Sequence, residues 1–327
     1  MIISNSSFME NVPELAAGRK KWVVAVSGGA DSMCLTLLVS EFAASRNIHL
    51  FACFVDHRLK KNSERDIEFA IETLQSRGNF DCHVLSWQHG ENLGGNIELK
   101  ARNARYALLL RFCREKGVDC LLTAHHSLDQ WETFFMRLSR GSALRGLSCI
   151  MPISLMEDVF VIRPFLNYSP SDIKETLVQR FGISEYFHDP MNEQTQFERV
   201  RWRRAYPILA TQFNLGMEGV NKSIDRLRQS EEYLEQAASA LTDQIFDGEY
   251  IYLSKFREQH VEMRMRILRM IIKRQIISYD LLKRTAIRII EDDFKAINLG
   301  GIVILKDKTK NLKIKREKRK QFIISTT

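Results

Sequence analysis

Residues 22–26 read Trp-Val-Val-Ala-Val, the apolar, β-branched run that a strand buried on both faces requires. The run stops at Ser27-Gly28-Gly29-Ala30-Asp31-Ser32, and residues 33–42 continue with helical character. The order is therefore strand, small-residue loop, helix. Paired glycines let the backbone turn sharply and leave its N–H groups uncovered, and the start of the helix directs a partial positive charge to the same place. A phosphate or pyrophosphate is the expected guest.

The loop is not of the Walker A type, which needs Lys-Ser or Lys-Thr after its last glycine, and Gly28-Gly29 cannot supply the spacing of a dinucleotide fingerprint. A plain strand-to-helix turn capped by Asp31 or Ser32 would account for part of it. The whole hexad behind a buried strand instead resembles the pyrophosphate loop of ATP-dependent adenylating ligases, which hold ATP for cleavage between its α- and β-phosphates. That resemblance implies that loop hydroxyls and amides from Ser27 to Ser32 grip the pyrophosphate and that Asp31 helps to organise Mg2+.

Along the rest of the N-terminal part, strands are expected at 48–55, 82–87, 120–124 and 159–162, alternating with helices at 63–77, 96–116 and 171–181, the last capped by Ser171. Polar loops are expected at 60–62 and 89–95 and a turn at 189–192. This pattern predicts a Rossmann-like parallel five-stranded sheet with helices on both faces, of the adenine-nucleotide α-hydrolase type. Ligands of such sheets sit at the carboxyl ends of strands, which brings Asp56 and His57 close to the loop. In the helix after residue 96, Glu98, Arg102 and Arg105 stack on one face.

A second notable segment is Ala124-His125-His126-Ser127-Leu128-Asp129-Gln130-Trp131-Glu132-Thr133. A helix starting near His126 would align His125, Asp129 and Glu132 at i, i+4 and i+7. Such an edge could bind metal, bind an amine or handle protons. The spacing makes no recognised zinc set, and two carboxylates facing a cationic amine match better. Arg140-Gly141 and Arg145-Gly146 then form a basic passage suited to phosphate contacts. Arg199, Arg201, Arg203 and Arg204 surround Trp202, a pattern suited to nucleic acid because guanidinium groups meet phosphate and an aromatic ring can stack on a base.

Apolar or small residues recur at alternating four-three spacing over 220–245, broken by Glu231, predicting one long helix with Glu231 and Glu232 on its solvated side. Helices over 255–277 and 279–292 and a hairpin of 302–305 with 312–315 follow. The expected division is a catalytic domain (1–214), a linking helix (215–250) and a mostly helical basic C-terminal domain (251–327). Charge supports it: residues 251–327 hold 20 Lys+Arg against 8 Asp+Glu, a net of +12, whereas the rest nets −4. A basic C-terminal part points to a polyanion, although the run at 315–320 would also serve as a solvated tail. No membrane span or signal peptide is expected, and the six cysteines include no Cys-x-x-Cys pair, which argues against zinc ribbons and iron–sulfur sites and suits a reduced, cytoplasmic location.

Taken together, the loop hexad, Val55-Asp56-His57, Ala101-Arg-Asn-Ala-Arg-Tyr106, Ala124-His-His126 with Asp129-Gln130 and Glu132-Thr133, Arg140-Gly141, Gly146-Leu147, Arg163-Pro164 and the arginine passage ending at Pro207 closely resemble the bacterial tRNA(Ile)-lysidine synthetases. The resemblance implies a two-step reaction. ATP adenylates O2 of the wobble cytidine in the tRNA(Ile) with a CAU anticodon, and the ε-amine of free L-lysine then displaces AMP. It implies pyrophosphate and Mg2+ at Ser27, Gly28, Gly29, Ala30, Asp31 and Ser32, with the adenosine end of ATP at Asp56 and His57. Arg105, with Arg102 as second choice, would hold a carboxylate or phosphate. His125, Asp129 and Glu132 would hold lysine and prepare its amine. Arg140, Arg145, Arg199, Arg201 and Arg203 would contact tRNA. Two positions depart from the family pattern: Leu128 stands where many members have an acid, and Val200 where Asn is common. The rival readings are a pyrophosphate-loop tRNA thiolation enzyme, which usually needs a reactive cysteine pair, and a non-catalytic RNA-binding protein with a relict nucleotide site.

Overall fold

Two short helices, α1 (Asn5–Met9) and α2 (Glu14–Ala17), lead into β1 (Lys21–Val26). The chain continues as α3 (Ala30–Arg46), β2 (His49–Asp56), α4 (Ser63–Gln75), β3 (Asp81–Ser86), α5 (Ile97–Lys116), β4 (Cys120–Leu122), α6 (Ser127–Leu138), α7 (Leu144–Leu147), β5 (Ile153–Met156), β6 (Val159–Ile162), α8 (Pro170–Phe181), α9 (Glu198–Gln212) and α10 (Met217–Ile245). The computed structural model describes residues 1–59, 63–89, 97–187, 196–272, 277–299, 301–308 and 311–316. The loops expected at 60–62 and after His89, the turn at 189–192 and most of the basic run at 315–320 lie outside the described residues. Two compact units divide the chain, Met1–Leu227 and Arg228–Thr327.

In the first unit the strands form one sheet in the order β3-β2-β1-β4-β6-β5. Five strands run parallel, and β5 pairs antiparallel with β6 through a tight turn in which Glu157 has φ 55°. The mostly parallel α/β class matches the sequence expectation; the sixth strand is an addition to it. Its Ile-Ser-Leu-Met stretch lies on the edge with Leu155 largely exposed, so it carries little of the apolar signal of a buried strand.

Side-chain alternation decides which core each strand residue enters. Trp22, Val24 and Val26 of β1, Leu50, Ala52 and Phe54 of β2, and Cys120 and Leu122 of β4 join one core with Met33, Leu35, Leu37 and Leu38 of α3. Val23, Phe51, Cys53 and Leu121 turn to the other face and pack with Tyr106, Leu109, Leu110 and Cys113 of α5. The near-continuous apolar strands are thus explained by burial on both faces. Strand order reverses at β1, which lies between β2 and β4; this is the switch point where such sheets open a crevice.

Helix α8 begins one residue earlier than expected. Ser169, not Ser171, is its cap and accepts from the Asp172 backbone N–H at 3.1 Å, while Pro170 fills the first helical position, where no N–H is needed.

The second unit combines the end of α10 with β7 (Tyr250–Ile251), α11 (Leu253–Glu258), α12 (Val261–Ile272), α13 (Tyr279–Arg288), β8 (Ala296–Leu299), β9 (Ile302–Lys306) and β10 (Leu312–Arg316). The expected β9–β10 hairpin forms and is extended by β7 and β8 into a four-stranded antiparallel sheet. A single helix over 255–277 is not found: the chain is extended at Gln259, and α11 and α12 are separate. Glu231 is not on a solvated side either. It is buried and accepts at 2.7 Å from Arg266, which also reaches Glu235 and Glu262 and is itself 1% exposed. Among the described residues no helix is long and apolar enough to cross a membrane.

Candidate functional site

The carboxyl ends of β1, β2 and β4 border a cleft of about 500 Å3. Its floor is the loop leaving β1. Gly28 adopts φ +80°, a left-handed conformation that disfavours any residue with a Cβ, and its carbonyl accepts from the Phe187 N–H at 3.0 Å. Gly29 is the cap residue of α3 and has no side chain to satisfy the first amides of that helix. The loop is closed by Ser32, whose hydroxyl accepts from the Ser27 N–H at 3.1 Å and donates to the Gly29 carbonyl at 3.0 Å. The simpler reading of a side-chain-capped turn is not what forms, since neither Asp31 nor Ser32 caps α3. Of the loop, Ser27, Asp31 and Ser32 line the cleft, whereas Gly28, Gly29 and Ala30 do not, and Phe187 stands beside both glycines.

Asp31 lines the cleft, and its Oδ1 is buried with no hydrogen-bond partner. Burial raises its pKa, partly opposed by His126 and reinforced by the Asp129 charge. An orphaned carboxylate oxygen of this kind calls for a cation. Asp56, at the end of β2, is buried and accepts from the Arg58 N–H at 2.9 Å, and neighbouring His57 has its Nε2 3.4 Å from the Arg105 guanidinium. Asp56, His57, Arg102 and Arg105 all line the cleft.

The opposite wall comes from β4 and α6. His126 is the cap of α6 in a reciprocal arrangement: its Nδ1 accepts from the Asp129 N–H at 3.3 Å, and Asp129 Oδ2 accepts from the His126 N–H at 2.9 Å. With Nδ1 accepting, Nε2 carries the proton, and it lies 3.7 Å from Asp31 Oδ2. One helix start therefore links the loop acid to Asp129. His125 also lines the cleft, bonded through Nδ1 to the Thr123 hydroxyl at 2.9 Å; burial pushes its pKa down to about 3, so the ring is neutral. Burial would raise the pKa of Asp129, but the charges of His126 and Arg199 and the backbone donor hold it well below the usual carboxylate range.

Glu132 lies elsewhere than expected. It is fully buried and does not line the cleft; its Oε2 accepts from Arg199 Nε at 2.6 Å and its Oε1 from Arg203 Nε at 2.7 Å. An edge three residues past Asp129 turns inward because α9 packs on α6 there.

Arg199 and Arg203 of α9, expected as tRNA contacts, line the cleft. Their i, i+4 spacing was the available signal, since it puts them on one face and Arg201 on another. Arg201 is exposed and donates to the Gln196 carbonyl; Arg140, also exposed, is bonded to Glu198, and Arg145 is exposed on α7. Trp202, expected as a ring for base stacking, is half-buried: it stacks on Phe135, with ring centres 5.5 Å apart, and meets Trp131 edge-on. Of the two family departures, Leu128 joins that aromatic cluster and Val200 is buried against the cleft. Tyr106, Thr123 and Phe187 are cleft residues that the sequence reading did not single out.

Comparison with known proteins places this geometry. Residues 3–207 match the family model of the PP-loop domain. Curated relatives include a tRNA(Ile)-lysidine synthase of Wolbachia pipientis wMel, 34% identical over 203 residues, which are 62% of this chain and 44% of that protein. Another is that of Zymomonas mobilis, 31% identical over 262 residues, covering 77% of this chain and 73% of the relative. The chain spans about half the length of several such relatives, 53% for that of Orientia tsutsugamushi. A solved structure of similar fold is the U34-tRNA thiolase NcsA from Methanococcus maripaludis with its 4Fe–4S cluster (TM-score 0.58, 16% identity, 68% of this chain and 76% of that one); at that identity the likeness is one of fold.

Proposed function

Because this chain belongs to the tRNA(Ile)-lysidine synthase family and carries its PP-loop domain, we propose that it joins lysine to the wobble cytidine of a CAU-anticodon tRNA(Ile) at the expense of ATP. The observation that carries this reading is the single cleft shared by the phosphate loop and Asp129, with His126 between Asp31 and the start of α6. In the first step cytidine O2 attacks the α-phosphorus and pyrophosphate leaves with the bonding electron pair. In the second the ε-ammonium first gives up one proton, the free amine attacks C2, AMP leaves with the electron pair of the C2–O2 bond, and the nitrogen releases a second proton to solvent.

Ser27 to Ser32 suit the pyrophosphate, and Asp56 and His57 suit the adenosine end. Mg2+ fits Asp31, whose buried Oδ1 has no other partner; it would supply charge neutralisation on the phosphates. Asp129, ionised throughout the neutral range, suits a lysine ammonium, and neutral His125 can accept a hydrogen bond from it. Arg102 and Arg105 suit the carboxylate of lysine or a phosphate. Arg140, Arg145 and Arg201 remain outside the cleft, where tRNA phosphates would meet them. A reduced cytoplasmic setting accords with six free cysteines.

Incubation with ATP, radiolabelled lysine and bacterial tRNA tests the reading. The expected result is label in tRNA with stoichiometric AMP. Absence of label together with sulfur uptake from a persulfide donor would favour thiolation instead, and tRNA binding with no AMP would favour a relict site.

A further inference from the structure

A buried carboxylate sits behind the cleft with both of its oxygens engaged by cations that line it. Glu132 has no exposed surface, yet it receives Arg199 at 2.6 Å and Arg203 at 2.7 Å, each through Nε. Arg199 also donates through Nη2 to Asp129 Oδ1 at 3.1 Å. Both arginines remain accessible from the cleft, with side chains 27% and 36% exposed. Two guanidinium groups four residues apart on α9 would otherwise repel and swing, since each has a long stem with many rotamers. A charge-assisted bond at each Nε fixes the inner edge of the fork, and both guanidinium groups line the cleft.

We propose that Glu132 is a positioning residue that acts through Arg199 and Arg203, aiming both at the ATP phosphates, and that it does not itself touch lysine. The inference rests on the adenylation reading above. When cytidine O2 bonds to the α-phosphorus and the bond to the bridging oxygen breaks, the electron pair goes to departing pyrophosphate. Fixed cations stabilise that charge more than mobile ones because no reorganisation is needed as it develops. Arg199 and Arg203 line the same cleft as Ser27, Asp31 and Ser32 of the loop. Glu132 fits this role better than that of an amine ligand because both of its oxygens are taken by arginine Nε groups and it does not line the cleft, whereas Asp129 gives only one oxygen to Arg199 and does line it.

The test uses the intact protein with ATP, tRNA and lysine, and compares Glu132→Gln, Arg203→Gln and the double variant. Pyrophosphate release gives kcat, and lysine titration gives KM. Glu132→Gln is expected to lower kcat roughly a hundredfold while changing the lysine KM by less than about twofold. The double variant is expected to lie within about threefold of Glu132→Gln alone, because without Glu132 the Arg203 guanidinium is already released. A lysine KM raised about tenfold with pyrophosphate release intact, or a double variant whose loss is the product of the single losses, overturns the inference. Should Glu132→Gln fail to fold, Arg203→Gln alone is expected to lower kcat at unchanged lysine KM, and a rise in lysine KM there with kcat intact overturns it equally. Wild-type protein that releases no pyrophosphate overturns the adenylation reading and this inference with it; a working wild type with a lysine effect overturns this inference only.

Discussion

Asp31 shows how one side chain is made to need a partner. Its Oδ1 is buried and unbonded, and burial disfavours its charged form, so a cation beside it would offset that cost. Asp31→Ala is expected to abolish AMP formation while the thermal midpoint holds or rises; retained AMP release would remove Asp31 from the chemistry. His125 gives a pH signature. Its folded-state pKa of about 3 lies below the ordinary value near 6.5, so as pH falls the unfolded chain takes up the proton first. The stability associated with the neutral ring is complete above about pH 6.5 and is lost as pH drops from there toward 3. His125→Gln is therefore expected to flatten the decline of unfolding free energy between pH 6.5 and 4, by up to about 1.4 kcal/mol per pH unit. Urea midpoints across that range would measure it, and an unchanged slope would contradict it. The cysteines make a third case: burial raises the thiol pKa of Cys82 to about 11 and of Cys113 to about 12, with Cys34, Cys53 and Cys120 also raised. Iodoacetamide at neutral pH should leave these five unmodified in the folded protein and label them after denaturation, as mass spectrometry would read.

Elements were legible where their pattern is local. Strand β1 and the loop after it could be read directly, because burial on both faces demands an unbroken apolar run and the turn demands Gly28. The start of α6 was also legible, since His126 and Asp129 stand at the cap and third positions of a capping box. What α6 does with Glu132 was not, because periodicity gives a face and not the neighbour that covers it. The neighbour is α9, more than sixty residues away in sequence, and its Arg199 and Arg203 turn an expected amine site into a buried clamp. Trp202 shows the same limit: its stacking on Phe135 and its half-burial come from the packing of α9 on α6. Helix α8 offers a plain test of local physics. Ser169→Ala removes its cap bond and should cost about 1 kcal/mol of stability in chemical denaturation; Ser171→Ala should cost little.

At the scale of the whole molecule, the +12 of residues 251–327 is the long-range property that composition alone reveals. Lys283, Lys308 and Lys315 are exposed in the second unit, and replacing all three with Gln should weaken tRNA binding and lower the steepness of its salt dependence by roughly one for each phosphate no longer neutralised. An unchanged slope in a filter-binding titration would take tRNA away from this surface. The same unit holds Arg266 among Glu231, Glu235 and Glu262, an ionic cluster no charge count predicts. Arg266→Ala leaves those carboxylates facing one another and should cost about 3 kcal/mol. By itself, then, the amino-acid order determined the α/β class, the phosphate loop, the acid at the start of α6 and the basic C-terminal part, because each is written in neighbouring residues or in net charge. Only the tertiary structure decided that Arg199 and Arg203 enter the cleft, that Glu132 lies behind it, and that Glu231 is buried. Burial and ion pairing belong to residues far apart along the chain, and which of them meet depends on how the helices pack.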